Sequence, residues 1–110
     1  MLLRMMMLAL IPVAIWAQGS GAMVTGLVTD ASGAVVPGAT VIVTNRNTGV
    51  ASRSETNEAG LYVIPTLIPG SYSLEVQKPG FKTYRVDSFT LETGQKLRMD
   101  VVMQVGEVRE

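Results

Sequence analysis

Apolar and polar residues alternate along most of the chain after Gly21, and no segment in that part repeats apolar residues at helical spacing. Alternation with a period of two is typical of strands that bury one face. The pattern predicts strands at Val24–Thr29, Ala39–Asn45, Ala51–Thr56, Leu61–Ile64, Ser71–Gln77, Lys82–Leu91 and Gln95–Val105. These seven short strands, with turn signals between them, predict an all-β fold that is a seven-stranded antiparallel β-sandwich.

The alternation also predicts which side chains fill the core. Tyr72, Leu74 and Val76 share one face of their strand, and we expect that face to be buried. Along the last strand an apolar set alternates with a charged set, namely Leu97, Met99, Val101 and Met103 against Lys96, Arg98 and Asp100. Strand Ala39–Asn45 is more apolar, with Val41 and Val43 on one face and Ile42 and Thr44 on the other, which predicts a central place in its sheet.

Three Pro-Gly pairs separate the predicted strands, at residues 37–38, 69–70 and 79–80. Proline fixes φ at about −65° in a type II turn, and glycine accepts the positive φ that follows, so we expect type II turns at these pairs. Other turns are predicted at residues 30–33, 57–60 and 93–94, with Asp30 bonding forward to backbone N–H groups. Pro65 cannot donate to a ladder, which predicts that Leu61–Ile64 is an edge strand or ends there.

Residues 1–17 have the order of a secretory signal peptide, because Arg4 precedes an apolar run from Met5 to Trp16 and the small residue Ala17. The run is shorter than the ~20 residues of a bilayer span. We expect a signal helix cleaved after Ala17, or alternatively after Ala22; a buried helix or an uncleaved anchor are the other interpretations. The chain then divides into a signal peptide at 1–17, a linker at 18–23, the sandwich at 24–105 and a tail at 106–110.

The amino-acid composition excludes several kinds of partner and of functional site. The chain has 110 residues, enough for one domain, and its nine basic and nine acidic residues are interspersed, so it offers no basic stripe for nucleic acid. It contains no His and no Cys, which excludes disulfides, thiol chemistry, Ser/His or Cys/His relays and most zinc and iron sites. We expect no cofactor.

Acidic side chains are the remaining candidates for chemistry. Asp30, Glu55 and Glu58 are candidate calcium ligands, but they are scattered over turns instead of being regularly spaced in one loop. Glu75 and Glu92 are a candidate catalytic pair, but Glu75 is expected on an outward strand face. Solvated surface acids explain both sets better, so the sequence predicts no catalytic, cofactor-binding or metal-binding residues.

Several motifs resemble one known domain family. Residues 26–41 read GLVTDASGAVVPGATV, residues 56–62 read TNEAGLY, residues 67–72 read LIPGSY, and Gly80-Phe81 follows. In this order they resemble the carboxypeptidase regulatory-like domain over nearly all of Val24–Met103. The resemblance implies a transthyretin/prealbumin-like sandwich. It implies no peptidase, because the carboxypeptidase catalytic domain is a separate zinc-binding unit.

In bacteria, domains similar to this one often follow a signal peptide at the front of Oar-like TonB-dependent outer-membrane receptors. The closing run Met103–Glu110 resembles the point where such receptors continue towards their plug and barrel. The resemblance implies a detached or truncated N-terminal module of such a receptor. It also implies a place in the periplasm or at the outer membrane of a Gram-negative bacterium, with an envelope protein or other receptor domains as partners.

We therefore expect an accessory interaction domain that is no enzyme and has no membrane span once the signal is removed. It would dock through strand edges or loops, with Leu61–Ile64 as the candidate edge. The alternative is a carbohydrate-binding module, because related sandwiches bind glycans through exposed aromatic platforms. Tyr84 and Phe89 are the two rings expected at the surface, whereas Tyr62 and Tyr72 are expected in the core.

Overall fold

The structure is a computed structural model that describes residues 21–106. Eight strands make up its regular secondary structure: β1 (Ala22–Asp30), β2 (Thr40–Asn45), β3 (Ala51–Glu55), β4 (Leu61–Leu67), β5 (Gly70–Gln77), β6 (Tyr84–Leu91), β7 (Lys96–Arg98) and β8 (Val101–Met103). The predicted signal peptide and most of the predicted tail lie outside the described residues. Within them, no helix has the length and apolar character needed to cross a membrane.

The strands form two sheets, which confirms the predicted β-sandwich. In the first sheet β1 lies between β4 on one side and β7 and β8 on the other; in the second the order is β3, β2, β5, β6. One detail of the prediction is wrong, because the sandwich is not antiparallel throughout: β1 pairs in parallel with both β7 and β8. Strand β2 is central, as its apolar character predicted.

The last predicted strand, Gln95–Val105, is divided in two at Met99 and Asp100. At this break the N–H of Met99 donates to the carbonyl of Thr25 at 2.7 Å, and the N–H of Leu27 donates to the Asp100 carboxylate at 2.9 Å. A side chain thus replaces a backbone acceptor, and the ladder resumes at Val101. Because the Asp100 carboxylate takes the place of a backbone acceptor here, the structure has eight strands where the pattern predicted seven.

The core lies between the sheets and is made from the faces that the alternation predicted. Tyr72, Leu74 and Val76 are buried, and so are Val101 and Met103 in β8. The other buried apolar residues are Ala22, Val24, Val28, Val36, Ala39, Val41, Val43, Tyr62, Ile64, Leu67 and Leu91. Every buried side-chain nitrogen and oxygen of the described residues has a hydrogen-bond partner, as a folded interior requires.

The Pro-Gly pairs have two different roles. Gly38 and Gly80 take φ values of 71° and 88°, which fit the predicted type II turns. The prediction at Pro69-Gly70 is wrong, because Gly70 has a φ of 155° and already pairs with Leu91 as the first residue of β5.

The positive φ near that turn belongs instead to Thr66, at 64°. Ala22 pairs with Leu67 and Val24 with Ile64, so Pro65 and Thr66 together lie opposite the single residue between them on β1. This is a β-bulge, and it carries β4 past Pro65 to Leu67 instead of ending it at Ile64.

Candidate functional site

One side of the sandwich is bordered by two edge strands, β3 of the second sheet and β4 of the first. The turn at residues 56–60 connects them at one end of this side. An unpaired edge offers backbone donors and acceptors to another chain. Whether this side can bind a partner therefore depends on which backbone groups each strand turns outward.

Strand β4 is an edge, as predicted, but it offers few free groups. The N–H of Val28 donates to the carbonyl of Gly60 at 2.8 Å, so the backbone of Gly60 faces β1. In a strand the backbone N–H and C=O groups of successive residues point to opposite sides. Leu61 and Val63 therefore turn their backbone groups away from β1. Asn57 already occupies those of Leu61: its side-chain oxygen accepts the Leu61 N–H at 3.0 Å, and its own N–H donates to the Leu61 carbonyl at 2.9 Å. Pro65 has no N–H, and Val63 presents both of its backbone groups outward.

Strand β3 is more open. The N–H of Asn45 donates to the carbonyl of Val50 at 2.9 Å, which means that residues 50, 52 and 54 face β2. Ala51, Arg53 and Glu55 therefore turn their backbone outward, and within residues 21–106 these groups have no hydrogen-bond partner. Their side chains are exposed on the outer face, whereas Ser52 and Ser54 point to the inner face.

A pocket of about 250 Å³ opens beside the start of β3 and the end of β4. Its floor and walls are mostly apolar, with Leu67, Tyr72 and the exposed residues Val50 and Ile68 among them. The polar lining consists of Asn45, Thr48, Ser52 and Thr66. Asn45 is buried and uses its side-chain oxygen to accept the N–H groups of residues 47 and 48 at 2.9 and 3.0 Å. The mixture of an apolar floor with a few fixed polar groups is typical of a binding pocket.

A second concave region, of about 390 Å³, lies on the outer face of the second sheet. It is polar and charged, with Arg46, Glu75, Arg85 and Asp87 in its lining. Arg85 lies 3.5 Å from Glu75, and the Arg85 side chain is 62% exposed. An ion pair with so much solvent contributes little energy, and the region is a solvated strand face.

The predicted calcium candidates are not brought together. Asp30 accepts the Ser32 hydroxyl at 2.6 Å and the N–H groups of Ser32 and Ala34 at 2.9 and 3.1 Å, and the Ser32 hydroxyl is the main cause of its lowered pKa. Glu55 lies on β3, and Glu58 lies in the turn that follows. Within residues 21–106 no three acidic side chains are grouped as metal ligands would be.

The predicted catalytic pair is placed on separate elements. Glu75 lies on the outward face of β5, where it accepts a hydrogen bond from the Gln77 side chain at 2.8 Å and faces Arg85. Glu92 is in the turn between β6 and β7 and is exposed. Their surroundings are those of ordinary surface acids.

Two aromatic rings lie in the core as expected, whereas the two rings expected at the surface are only partly exposed. Tyr62 and Tyr72 are each only 2% exposed. Tyr84 and Phe89 are half-buried and pack against the core, and the Phe89 ring stacks on Tyr72 with centroids 6.1 Å apart. Neither ring is fully exposed.

Sequence reasoning missed one cluster, at the break between β7 and β8. The Tyr62 hydroxyl donates to the carbonyl of Met99 at 2.7 Å, and that carbonyl comes so close to Gly26 that any Cβ there would overlap it. Burial raises the pKa of Tyr62, with the nearby Asp100 charge as a smaller cause. The isolated glycine in the middle of an alternating strand was the available signal, since such glycines often mark a close backbone approach.

The family model of the carboxypeptidase regulatory-like domain matches residues 23–104 of this chain. The chain belongs to that family. The match runs from the second residue of β1 to just past the end of β8, so this family domain includes both sheets, the pocket and the two edges. A search of curated protein sequences finds no match.

Solved structures share the fold at low sequence identity. The TIE protein of Bacillus anthracis superposes with a TM-score of 0.65 at 19% identity, over 78% of this chain and 17% of that one. Catechol 1,2-dioxygenase of Acinetobacter radioresistens gives 0.64 at 13% identity, over 82% of this chain and 53% of the enzyme. The dioxygenase domain of a dioxygenase carbohydrate-binding protein fusion from Streptomyces sp. SirexAA-E gives 0.62 at 13% identity, over 80% and 82%. The chain spans a sixth of the first relative and about half of the second, and identities this low show the fold alone.

Proposed function

We propose that this domain is a non-catalytic accessory module of the bacterial cell envelope, which binds another protein or another domain through an edge of its sandwich. The observation that carries the proposal is the open side between β3 and β4, where free backbone groups border a mostly apolar pocket. Membership of a regulatory-like family supports an accessory role.

The chemistry of the residues supports binding over catalysis. The sequence has no His or Cys to act as base or nucleophile, and its candidate carboxylates occupy separate turns and strand faces. The pocket is lined by amide, hydroxyl and apolar groups, and its lining includes no carboxylate and no cationic side chain.

We propose further that the domain is exported after cleavage behind Ala17 and that it is the N-terminal module of a TonB-dependent outer-membrane receptor. The order of charge, apolar run and small residue in residues 1–17 supports export. The sequence resemblance to the leading domain of Oar-like receptors supports the receptor context. Intact mass of the protein recovered from the periplasm tests export, and a chain that still begins with Met1 would contradict it.

The receptor context is tested by the genomic DNA downstream of the coding sequence. A plug and barrel, in frame or one frameshift away, supports the proposal. An unrelated reading frame would contradict it.

A carbohydrate-binding module is the alternative function, and the positions of the rings make it the weaker one. Tyr84 and Phe89 are half-buried against the core, and no aromatic side chain of the described residues is fully exposed, so each ring offers a sugar only part of its surface. Glycan-array binding that is lost in Tyr84→Ala would favour this alternative.

The binding function is tested by site-specific photocrosslinking in exporting cells. A photoreactive residue is placed at Arg53 on β3, at Val63 on β4 and, as a control, at the exposed turn residue Glu58. We expect crosslinks to a defined envelope protein or receptor domain from Arg53 or Val63 and none from Glu58. Equal labelling from all three positions, or turnover of a glycan, peptide or ester by purified protein, would contradict it.

A further inference from the structure

We propose that β3 and the neighbouring pocket together form a site for an extended peptide segment of a partner protein. The segment pairs antiparallel with β3, places an acidic residue opposite Arg53 and a basic residue opposite Glu55, and inserts an apolar side chain into the pocket beside Ser52. This inference rests on the proposed binding function and adds the strand, the direction and the chemistry of the partner.

The backbone of β3 provides the first part of the site. Ala51, Arg53 and Glu55 present their N–H and C=O groups outward at every second residue, and within the described chain these groups are unpaired. An extended chain laid beside β3 meets the same spacing of donors and acceptors. All pairs within this sheet are antiparallel, so the added strand continues the sheet in the same way.

The charges fix the register on the outer face. Arg53 and Glu55 are both exposed, and their side chains point to the same side of the sheet because they are two residues apart. Residues directly opposite each other in an antiparallel pair interact, and opposite charges there are favourable. The partner segment therefore carries a basic residue and, two positions later, an acidic one.

The pocket determines the inward-facing position. Ser52 and Ser54 are small, so they leave room on the inner side of the sheet edge, and Ser52 is part of the pocket lining. A side chain that lies opposite Ser52 on an added strand points into this space. The pocket volume of about 250 Å³ exceeds the ~150 Å³ of an apolar cavity that admits benzene, so a leucine side chain fits.

A second copy of this chain fits the same edge less well. An antiparallel self-pairing centred on Arg53 sets that residue opposite its own copy, which is a repulsive pair. A self-pairing centred on Ser54 aligns Arg53 with Glu55, but it sets Thr56 opposite Ser52, and Thr56 is already buried with its hydroxyl donated to the chain's own backbone at 2.6 Å. Neither register fills the apolar pocket.

The probe is a fluorescein-labelled peptide with the sequence Thr-Lys-Val-Glu-Leu-Thr. In antiparallel register its Lys lies opposite Glu55, its Glu opposite Arg53 and its Leu opposite Ser52. Titration with the protein is followed by fluorescence anisotropy, and amide hydrogen exchange is followed residue by residue. We expect saturable binding, with slower exchange at Ala51, Arg53 and Glu55.

Matched variants distinguish a loss of peptide binding from a loss of folding. Ala51→Pro removes an outward N–H of β3, and we expect it to weaken the peptide at least about tenfold. Thr90→Pro is the control, because Thr90 lies on the opposite edge strand β6 and its N–H also points away from the sheet. Ser52→Phe fills the pocket mouth and is expected to weaken binding similarly. Unchanged denaturation midpoints confirm that each variant is folded.

Charge exchange tests the register without any structural loss. The double variant Arg53→Glu with Glu55→Arg is expected to weaken the original peptide by at least about fivefold and to bind Thr-Glu-Val-Lys-Leu-Thr with the original affinity. If both peptides bind the double variant equally, the register is wrong.

Several further outcomes would overturn the assignment. One is the absence of peptide binding up to about 1 mM. Another is equal binding by the Ala51→Pro and Thr90→Pro variants. The third is a dimer of the free protein that dissociates on Ala51→Pro, which would mean that a second copy occupies this edge. An envelope partner that crosslinks at Val63 instead of Arg53 would refute the β3 site and leave the proposed function standing.

Discussion

The hydroxyl of Tyr62 donates a 2.7 Å hydrogen bond to the carbonyl of Met99, across the width of the first sheet. Tyr62 lies on the edge strand β4, and Met99 lies at the break between β7 and β8. The bond passes over Gly26 of the intervening strand β1, whose missing side chain leaves room for the Met99 carbonyl. One buried ring thus connects three strands at the point where the regular ladder is interrupted.

Tyr62→Phe removes this bond and leaves the ring in place. We expect the free energy of unfolding to fall by about 1–2 kcal/mol, because the Met99 carbonyl loses its partner at a partly buried position. Urea denaturation measures the change. Tyr84→Phe is the control, since the Tyr84 ring is half-buried and its hydroxyl makes no hydrogen bond with another described residue. Equal midpoints for the two variants would show that the bond contributes nothing.

Gly26→Ala places a methyl group against the Met99 carbonyl and the Tyr62 ring. Since both neighbours are fixed, we expect a loss of more than about 4 kcal/mol or a chain that does not fold. Gly49→Ala is a matched change in open space at a positive φ of 76°, and it is expected to cost about 1 kcal/mol. Circular dichroism during thermal unfolding compares them, and equal losses would contradict the close approach.

Tyr72→Ala removes a buried ring from the inner face of the second sheet, beside the pocket. The ring is 2% exposed and stacks on Phe89, so we expect a loss of about 3–5 kcal/mol in chemical denaturation. Its hydroxyl donates to the Ile68 carbonyl at 2.6 Å, so Tyr72→Phe should cost only a part of that amount. An unchanged midpoint for the alanine variant would place the ring on the surface.

The Asp100 carboxylate should make stability depend on pH in the acid range. The hydrogen bond from the Leu27 N–H, and to a smaller extent Arg98, holds the pKa of Asp100 below its usual value. A carboxyl with a lowered folded-state pKa stabilises the protein above its unfolded value of about 3.9, and this contribution is lost as the pH falls through the folded-state pKa.

Asp100→Asn removes the titration and keeps a side-chain acceptor. We expect the wild type to be the more stable of the two at neutral pH and the two midpoints to converge as the pH falls below about 4. Denaturation series at several pH values compare them. A constant difference between the two proteins over the whole range would show that the Asp100 charge does not contribute.

Val63→Pro tests the edge assignment of β4. The Val63 N–H points away from β1 and its side chain is half exposed, so we expect a folded protein within about 1 kcal/mol of the wild type. Ile64→Pro removes an N–H that faces β1, so it should destabilise well beyond Ile64→Ala, which accounts for the lost side chain. Unfolding of the Val63→Pro variant would mean that β4 is paired on both sides.

Much of this fold follows from the sequence because the sandwich buries one face of nearly every strand. Tyr72, Leu74 and Val76 could be assigned to the core from alternation, since a shift of one residue would bury Glu75. The central place of β2 followed from the apolar character of the strand, in which Ile42 faces outward beside the inward Val41 and Val43.

The features that could not be predicted depend on contacts between distant residues. Leu27 and Asp100 are 73 positions apart, and nothing local in either strand shows that the carboxylate replaces a ladder acceptor. The bulge at Thr66 was missed because threonine rarely takes a positive φ, so the two Pro-Gly pairs that flank β5 appeared equivalent.

The sequence predicted the type of candidate site, an edge strand, but not which edge strand is the more open. The sequence indicated that an edge strand would carry binding, and β4 is an edge. It could not show that Asn57 occupies the Leu61 groups or that β3 is the more open edge, because both depend on which backbone groups face outward once the sheets are assembled.

Amide hydrogen exchange, measured residue by residue on the free protein and on its complex with the crosslinked envelope partner, tests the central claim most directly. We expect binding to slow exchange at outward amides of an edge strand, namely Ala51, Arg53 and Glu55, while amides of the central strand β2 keep their free-state rates. Protection confined to the turns or to the charged outer face around Glu75 and Arg85, with no change at any edge amide, would contradict it.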